Sequence, residues 1–218
     1  SPKHPEEIVV GLNDRIPQLH DLYKVNLRTG ERSLLHLNEG MLGYLIDDDY
    51  NVRYAATMTA DGGMLVLAAT EEGWQPFWEF SMEDSLTSGP IGFDLSGEKL
   101  YGLDSTGRET AALVVVDLKT REIEVVYQDP KADVSEVMIH PTQRTIQAAA
   151  ATYARRSWQI FDPEIAEDFA YLETVADGEM NVVARTLEDQ TWIVAYLLDD
   201  GPVRYYRYDR PSRTAEFL

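Results

Sequence analysis

Apolar and β-branched residues alternate with polar ones in short runs along the whole chain, and small polar turns break the runs. Ile8–Leu12 is one such run, followed by the turn-rich Asn13-Asp14-Arg15-Ile16-Pro17. His20–Leu27 and Arg32–Leu37 are two more, joined by Arg28-Thr29-Gly30-Glu31. Alternation with period two predicts strands, and a glycine between two such runs predicts a hairpin whose turn needs a positive φ. The same hairpin recurs as Leu113–Leu118 with Glu122–Tyr127, and as Val203–Tyr208 with Thr214–Leu218. Asn26, Asp117 and Asp209 hold equivalent places in the three hairpins, 91 and 92 residues apart.

A second kind of turn recurs at Ala60-Asp61-Gly62-Gly63, Leu95-Ser96-Gly97-Glu98, Pro141-Thr142-Gln143-Arg144 and Leu187-Glu188-Asp189-Gln190. From Gly97 to Gln143 is 46 residues, and from Gln143 to Asp189 another 46. The last three are followed by strands ending in Asp117, Asp162 and Asp209. A period of roughly 40–50 residues built from short strands marks a β-propeller, whose blades are four-stranded sheets. The expected fold is therefore all-β, a partial β-propeller of about five blades within a single unit, 1–218. Blades are expected at about 7–38 (lacking its first strand), 52–84, 91–128, 134–162 and 180–218. The gap from Gly62 to Gly97 is only 35 residues, so the second blade should have a short or absent fourth strand.

One helix is expected, at 163–176. Asp162 is a good N-cap, Pro163 suits the first helical position, and Glu164 and Glu167 favour the positive helix end. Ile165, Phe169, Leu172 and Val175 or Ala176 then share one face, and Asp177-Gly178 ends the run. Such a helix covers the edge of blade four in place of a strand.

Composition narrows the function. The 218 residues are 44% hydrophobic, enough for a sizeable core. Acids outnumber bases 38 to 19, giving a net charge of −19, which argues against nucleic-acid and membrane partners. Absence of cysteine excludes disulfides, thiolate nucleophiles and cysteine metal sites. No apolar run approaches the ~18 residues that span a bilayer. The chain opens in polar SPKHPEE rather than a signal peptide, so the expectation is a cytoplasmic fragment, with a periplasmic one left open.

Candidate chemistry is sparse. Gly102-Leu103-Asp104-Ser105-Thr106-Gly107 approaches the nucleophile-elbow pattern but has one residue too many before the serine, and reads as a hairpin turn. His4, His20, His36 and His140 form no metal-binding spacing; His20 and Asp21 are strand neighbours that face opposite ways. Asp47, Asp49 and Asn51 imitate the first ligands of a Ca²⁺ loop, but Val52 replaces its glycine and Met58 its last glutamate; a solvated inter-blade loop fits better. Trp74, Trp78, Trp158 and Trp192 fit blade packing. No catalytic, cofactor-binding or metal residue is assigned.

The stretches VGLNDRIPQLHDLYKVNLRTGE, PIGFDLSGEKLYGLDSTGRETAALVVVDLKT, WQIFDPEIAEDF and DDGPVRYYRYDR together resemble the propeller region of prolyl oligopeptidase-family serine peptidases, in the acylaminoacyl-peptidase and dipeptidyl-peptidase-like branch. The resemblance implies a C-terminal α/β-hydrolase domain as partner, short peptides as substrates, and a propeller that caps the active site. It implies seven or eight blades, so both ends read as cut. No family catalytic residue has a counterpart here; Glu71-Glu72 read as solvated charge rather than a substrate-amine site. The rival expectation is a stand-alone propeller that binds a protein or small ligand. Unpaired strand edges predict either five-bladed closure or a homodimer.

Overall fold

The computed structural model describes every residue from Ser1 to Leu218. Its strands form five consecutive sheets, each built from chain-adjacent strands. The first holds β1 (Glu7–Ile16), β2 (Leu19–Asn26) and β3 (Arg32–His36). The second holds β4 (Gly43–Ile46), β5 (Val52–Met58), β6 (Met64–Thr70) and β7 (Gly73–Phe80). The third runs through β8 (Gly89–Phe93), β9 (Lys99–Asp104), β10 (Ala112–Asp117) and β11 (Ile123–Tyr127). The fourth has β12 (Val134–Ile139), β13 (Ile146–Thr152) and β14 (Arg156–Ile160). The fifth has β15 (Glu179–Arg185), β16 (Thr191–Leu197), β17 (Arg204–Asp209) and β18 (Thr214–Phe217). These are five blades of a β-propeller, three of them four-stranded.

The first blade lacks its opening strand, and the fourth replaces its last strand by a helix, both as the sequence predicts. A 3-10 turn at Pro163–Ile165 leads into α1 (Ala166–Leu172). The Asp162 carboxylate accepts the N–H of Glu164 at 3.0 Å, which is the anticipated cap. The helix stops at Leu172 rather than 176; Val175 and Ala176 still pack against the core from the connection that follows. β1 runs on through Asn13–Ile16, with a register break between Leu12 and Ile16, so the turn there is confined to Pro17-Gln18.

Blade two corrects the expected spacing. It opens at Gly43, ahead of Val52, and is complete; its fourth strand, β7, has eight residues. The turn equivalent to those after β8, β12 and β15 is Asp47–Asn51, and Ala60–Gly63 is the next turn along the same blade. Asp47 is therefore a turn residue inside a blade, not part of an inter-blade loop. The first turn residues, Asp47, Asp94, His140 and Thr186, are spaced by 47, 46 and 46. Three of them hold their turns through a side-chain acceptor, each at its own spacing. Asp47 Oδ1 accepts the N–H groups of Asp49 and Asn51, His140 Nδ1 those of Thr142 and Gln143, and Thr186 Oγ1 those of Gln190 and Thr191. Each turn also has one residue at positive φ: Tyr50, Gly97, Arg144 and Asp189. In the His140 turn the left-handed residue falls four positions after the first, at Arg144 rather than Gln143.

Packing divides the chain into two compact units. One comprises 1–93, 97–108 and 114–123; the other comprises 94–96, 109–113 and 124–218. The core of the first gathers Tyr54, Val66, Phe80, Phe93, Leu100 and Val116. The core of the second is larger, with Trp192, Tyr196 and Tyr208 fully buried beside Ile165, Phe169 and Leu172 of the helical segment. The helical segment follows β14 in the chain, where the four-stranded blades have a fourth strand, and buries one apolar stripe in this core.

Buried charge is paired in both units. In the first, Arg15 forks onto the fully buried Asp21 at 2.7 and 2.8 Å, and the Asn38 N–H donates to the same carboxylate. The Arg15 hydrogen bond and the Asn38 N–H hold the Asp21 pKa down at about 2. In the second, Arg210 donates to Asp168 at 2.9 Å and to Asp189 at 2.8 Å. Tyr208 completes Asp168, and Trp192 Nε1–H and Arg185 complete Asp189. Burial, reinforced by the hydrogen bond to Asp168, pushes the Tyr208 hydroxyl pKa upward.

Candidate functional site

Ser105, the nearest approach to a nucleophile, sits just past β9 in a turn with no helix behind it. Its hydroxyl donates to Asp84 Oδ1 at 2.8 Å and lies 3.0 Å from Thr87 Oγ1 and 2.9 Å from Ser88 Oγ. Its N–H donates to Ser88 Oγ. Asp84 is held in turn by Ser81 at 2.7 Å. A serine hydroxyl becomes nucleophilic when a base takes its proton. These partners are a carboxylate and two hydroxyls, with no imidazole among them, and together they tie the β7–β8 connection to the end of β9. The cluster is a structural clasp.

The histidines fall into separate local roles. His140 caps its turn, His4 stacks on Tyr50 at 4.7 Å, and His36 packs edge-on against Tyr44 and Trp74. A Cβ placed on Gly11 would lie 3.3 Å from the His20 Cβ, so His20 rests against the β1 backbone. Asp21, its sequence neighbour, is turned inward onto Arg15. The Ca²⁺-like trio is likewise committed: Asp47 to its own turn, and Asp49 to Lys3 at 2.7 Å.

A cleft of about 690 Å³ lies in the second unit. One wall is Arg155–Trp158, at the start of β14; the other is Glu173–Met180, the connection from the helix to β15, with Tyr196 between them. β14 is the last strand of a three-stranded sheet, so this wall is a sheet edge. Trp158 Nε1–H donates to Met180 O at 3.2 Å across the floor, and Tyr196 donates to Leu172 O at 2.7 Å. Burial pushes the Tyr196 pKa upward, so this hydroxyl stays neutral. Arg155 spans Asp177 and Asp199 at 3.5 and 3.2 Å. Arg156 reaches Glu136 at 3.5 Å, while its Nε and Nη1 hydrogens are buried without partners. Gly178, at φ +114, brings its α-carbon so near Leu197 O that a Cβ would sit 2.4 Å away. The cleft can bind polar groups and aromatic faces; it contains no nucleophile–base pair. Sequence reasoning missed it, although Arg155-Arg156 ahead of an aromatic strand was its visible trace.

No family model matches the chain. It is similar to dipeptidyl aminopeptidase BIII of Pseudoxanthomonas mexicana, at 44% identity over 98% of the chain and 31% of that protein. It is also similar to dipeptidyl peptidase family member 6 of Caenorhabditis elegans, at 30% identity over 98% of the chain and 30% of that protein. The chain thus spans about a third of the length of these relatives. Among solved structures, TolB from Acinetobacter baumannii superposes with a TM-score of 0.59 at 10% identity, over 97% of this chain and 52% of that one. A prolyl endopeptidase structure superposes with a TM-score of 0.55 at 11% identity, over 97% and 32%. The two superpositions speak for the propeller alone, which TolB and the endopeptidase share. The two alignments, each running through nearly the whole chain, carry the likeness further: the chain is similar to one stretch, about a third of the length, of two dipeptidyl peptidases.

Proposed function

We propose that this segment is non-catalytic and controls access to the active site of a peptidase acting on short peptides, the nucleophile lying in an α/β-hydrolase domain elsewhere in the polypeptide. The observation that carries the reading is the 44% identity to dipeptidyl aminopeptidase BIII, of which the segment spans only 31%. The surroundings of Ser105 support it, because that hydroxyl is spent on Asp84, Thr87 and Ser88. Propeller blades are arranged about a central channel, and a channel of side-chain width passes an extended peptide and stops a folded protein. On this reading the segment contributes selection by size, and the chemistry belongs to its partner domain.

The test is a length series. The full-length polypeptide is given peptides that share one cleavable N-terminal sequence and grow from a few residues to a folded protein. The kcat/KM value is expected to fall steeply with length while the sequence around the scissile bond stays constant. A flat profile out to the folded substrate would overturn the gating role.

A further inference from the structure

β7 carries one residue more than its partner strand. Val66 pairs with Trp78 and Leu67 with Pro76, so Phe77 has no partner on β6. Neighbours on a regular strand face opposite ways, and a bulge re-aims one of them. Phe77 and Trp78 accordingly both pack against the core of the first unit, Phe77 edge-on to Tyr54 at 4.6 Å and Trp78 tilted against Phe80 at 4.7 Å. Gly102 leaves the indole its place, since a Cβ there would lie 2.9 Å from Trp78 Cζ3. The two rings line a cavity of about 360 Å³ whose other walls are Val116, Ile123 and Arg121. Small-molecule sites have volumes of ~300–1,000 Å³ and mostly apolar walls with a few placed polar groups. Ile123 is 47% exposed, so solutes reach this cavity from water.

Arg121 is the placed polar group. It stands in the β10–β11 turn at φ +67, and Gly30 and Arg213 hold the equivalent positions in the other two hairpins. Gly30 has no side chain, and Arg213 pairs with Glu167. Arg121 pairs with no acid. Its guanidinium lies 4.0 Å from the Phe77 ring centroid and donates to no acceptor in the chain. Glu122, the next residue, meets Thr120 instead. With 38 acidic residues against 19 basic ones, an arginine that keeps clear of every carboxylate stands out. Stacking on a ring fixes the plane of a guanidinium and leaves its edges free for the two parallel hydrogen bonds that a carboxylate accepts. The bulge at Phe77 and the left-handed turn at Arg121 thus bring an apolar cavity and an unspent cation together.

We infer that this cavity binds a small monocarboxylate carrying an aromatic or aliphatic group. The carboxylate forks onto Arg121, and the apolar group rests against Trp78, Val116 and Ile123. The net charge of −19 favours a singly charged acid over a phosphate dianion. The site goes beyond the gating role proposed above and does not depend on it.

Photolabelling tests this in the full-length protein. The protein is irradiated with a benzophenone carboxylate, and the modified peptides are mapped by mass spectrometry. The label is expected on β7 or on the β10–β11 hairpin. Phenylpropionate should suppress it, while phenylpropionamide and acetate at the same concentration should not. Arg121→Gly suits the positive φ, as Gly30 does, and is expected to lower labelling on the order of tenfold by removing the charge-assisted hydrogen bonds. Competition by N-acetylphenylalanine as strong as by phenylpropionate supports the site and assigns the C-terminal residue of a peptide as its ligand; weaker competition supports it with a free acid. Equal competition by the amide, undiminished labelling of Arg121→Gly, or a label confined to other parts of the protein overturns the inference. A flat length series removes the gate and leaves this site standing.

Discussion

Replacing Arg210 with alanine is expected to destabilise the second unit by about 3–5 kcal/mol, because it removes the cation shared by two buried carboxylates and leaves Asp168 without one. Asp168 and Asp189 have side chains only 7% and 2% exposed, and Arg210 donates to both. Without the guanidinium, Asp168 keeps the Tyr208 hydroxyl, and Asp189 keeps Trp192 Nε1–H and Arg185. Those partners satisfy hydrogen bonds but leave one negative charge uncompensated. Arg210→Lys should recover only part of the loss, since an ammonium cannot fork across both acids. The measurement is the urea midpoint followed by tryptophan emission; the Arg210 guanidinium lies 4.9 Å from the Trp192 ring centroid, so the probe sits at the lesion. A loss below about 1 kcal/mol would mean that the cluster is as solvated as a surface pair.

Phe80→Ala should cost a similar amount, about 3–5 kcal/mol, for a different reason. Phe80 is fully buried in the core of the first unit, tilted against Trp78 at 4.7 Å. It has no polar atom, so the whole cost is lost apolar burial and the cavity left behind. The site cannot collapse readily. The Thr59–Gly63 turn already presses on this strand: a Cβ at Gly63 would come within 2.3 Å of Phe80 O. Phe80→Leu refills most of the space and should cost less than about 1.5 kcal/mol. Urea midpoints of the two variants, compared at equal m-values, check this; equal losses for leucine and alanine would show that packing volume is not what Phe80 supplies.

Local signals are legible in the sequence, and long-range ones are not. The hairpins were legible because Asn26, Asp117 and Asp209 do the same work: each side chain accepts backbone N–H groups two or three residues ahead. The helix start was legible from Asp162 and Pro163 for the same reason. Blade two departs from its expected bounds because Gly62-Gly63 carries a stronger turn signal than Asp47–Asn51 does. There Tyr50 takes the positive φ without being glycine, and Asp47 supplies the turn through its carboxylate. The cleft was invisible because its walls, Arg155–Trp158 and Glu173–Met180, meet only through packing. The Asp168–Arg210 pair joins residues 42 apart, a distance over which no pattern rule predicts a partner.

In the proposed division of labour, these residues shape access and another part of the polypeptide performs hydrolysis. The most direct measurement is active-site labelling of the full-length protein with a fluorophosphonate, followed by mapping the modified peptide. The label is expected on a serine outside these 218 residues, with Ser105 unmodified. A label on Ser105, or on any residue of this chain, would contradict the account.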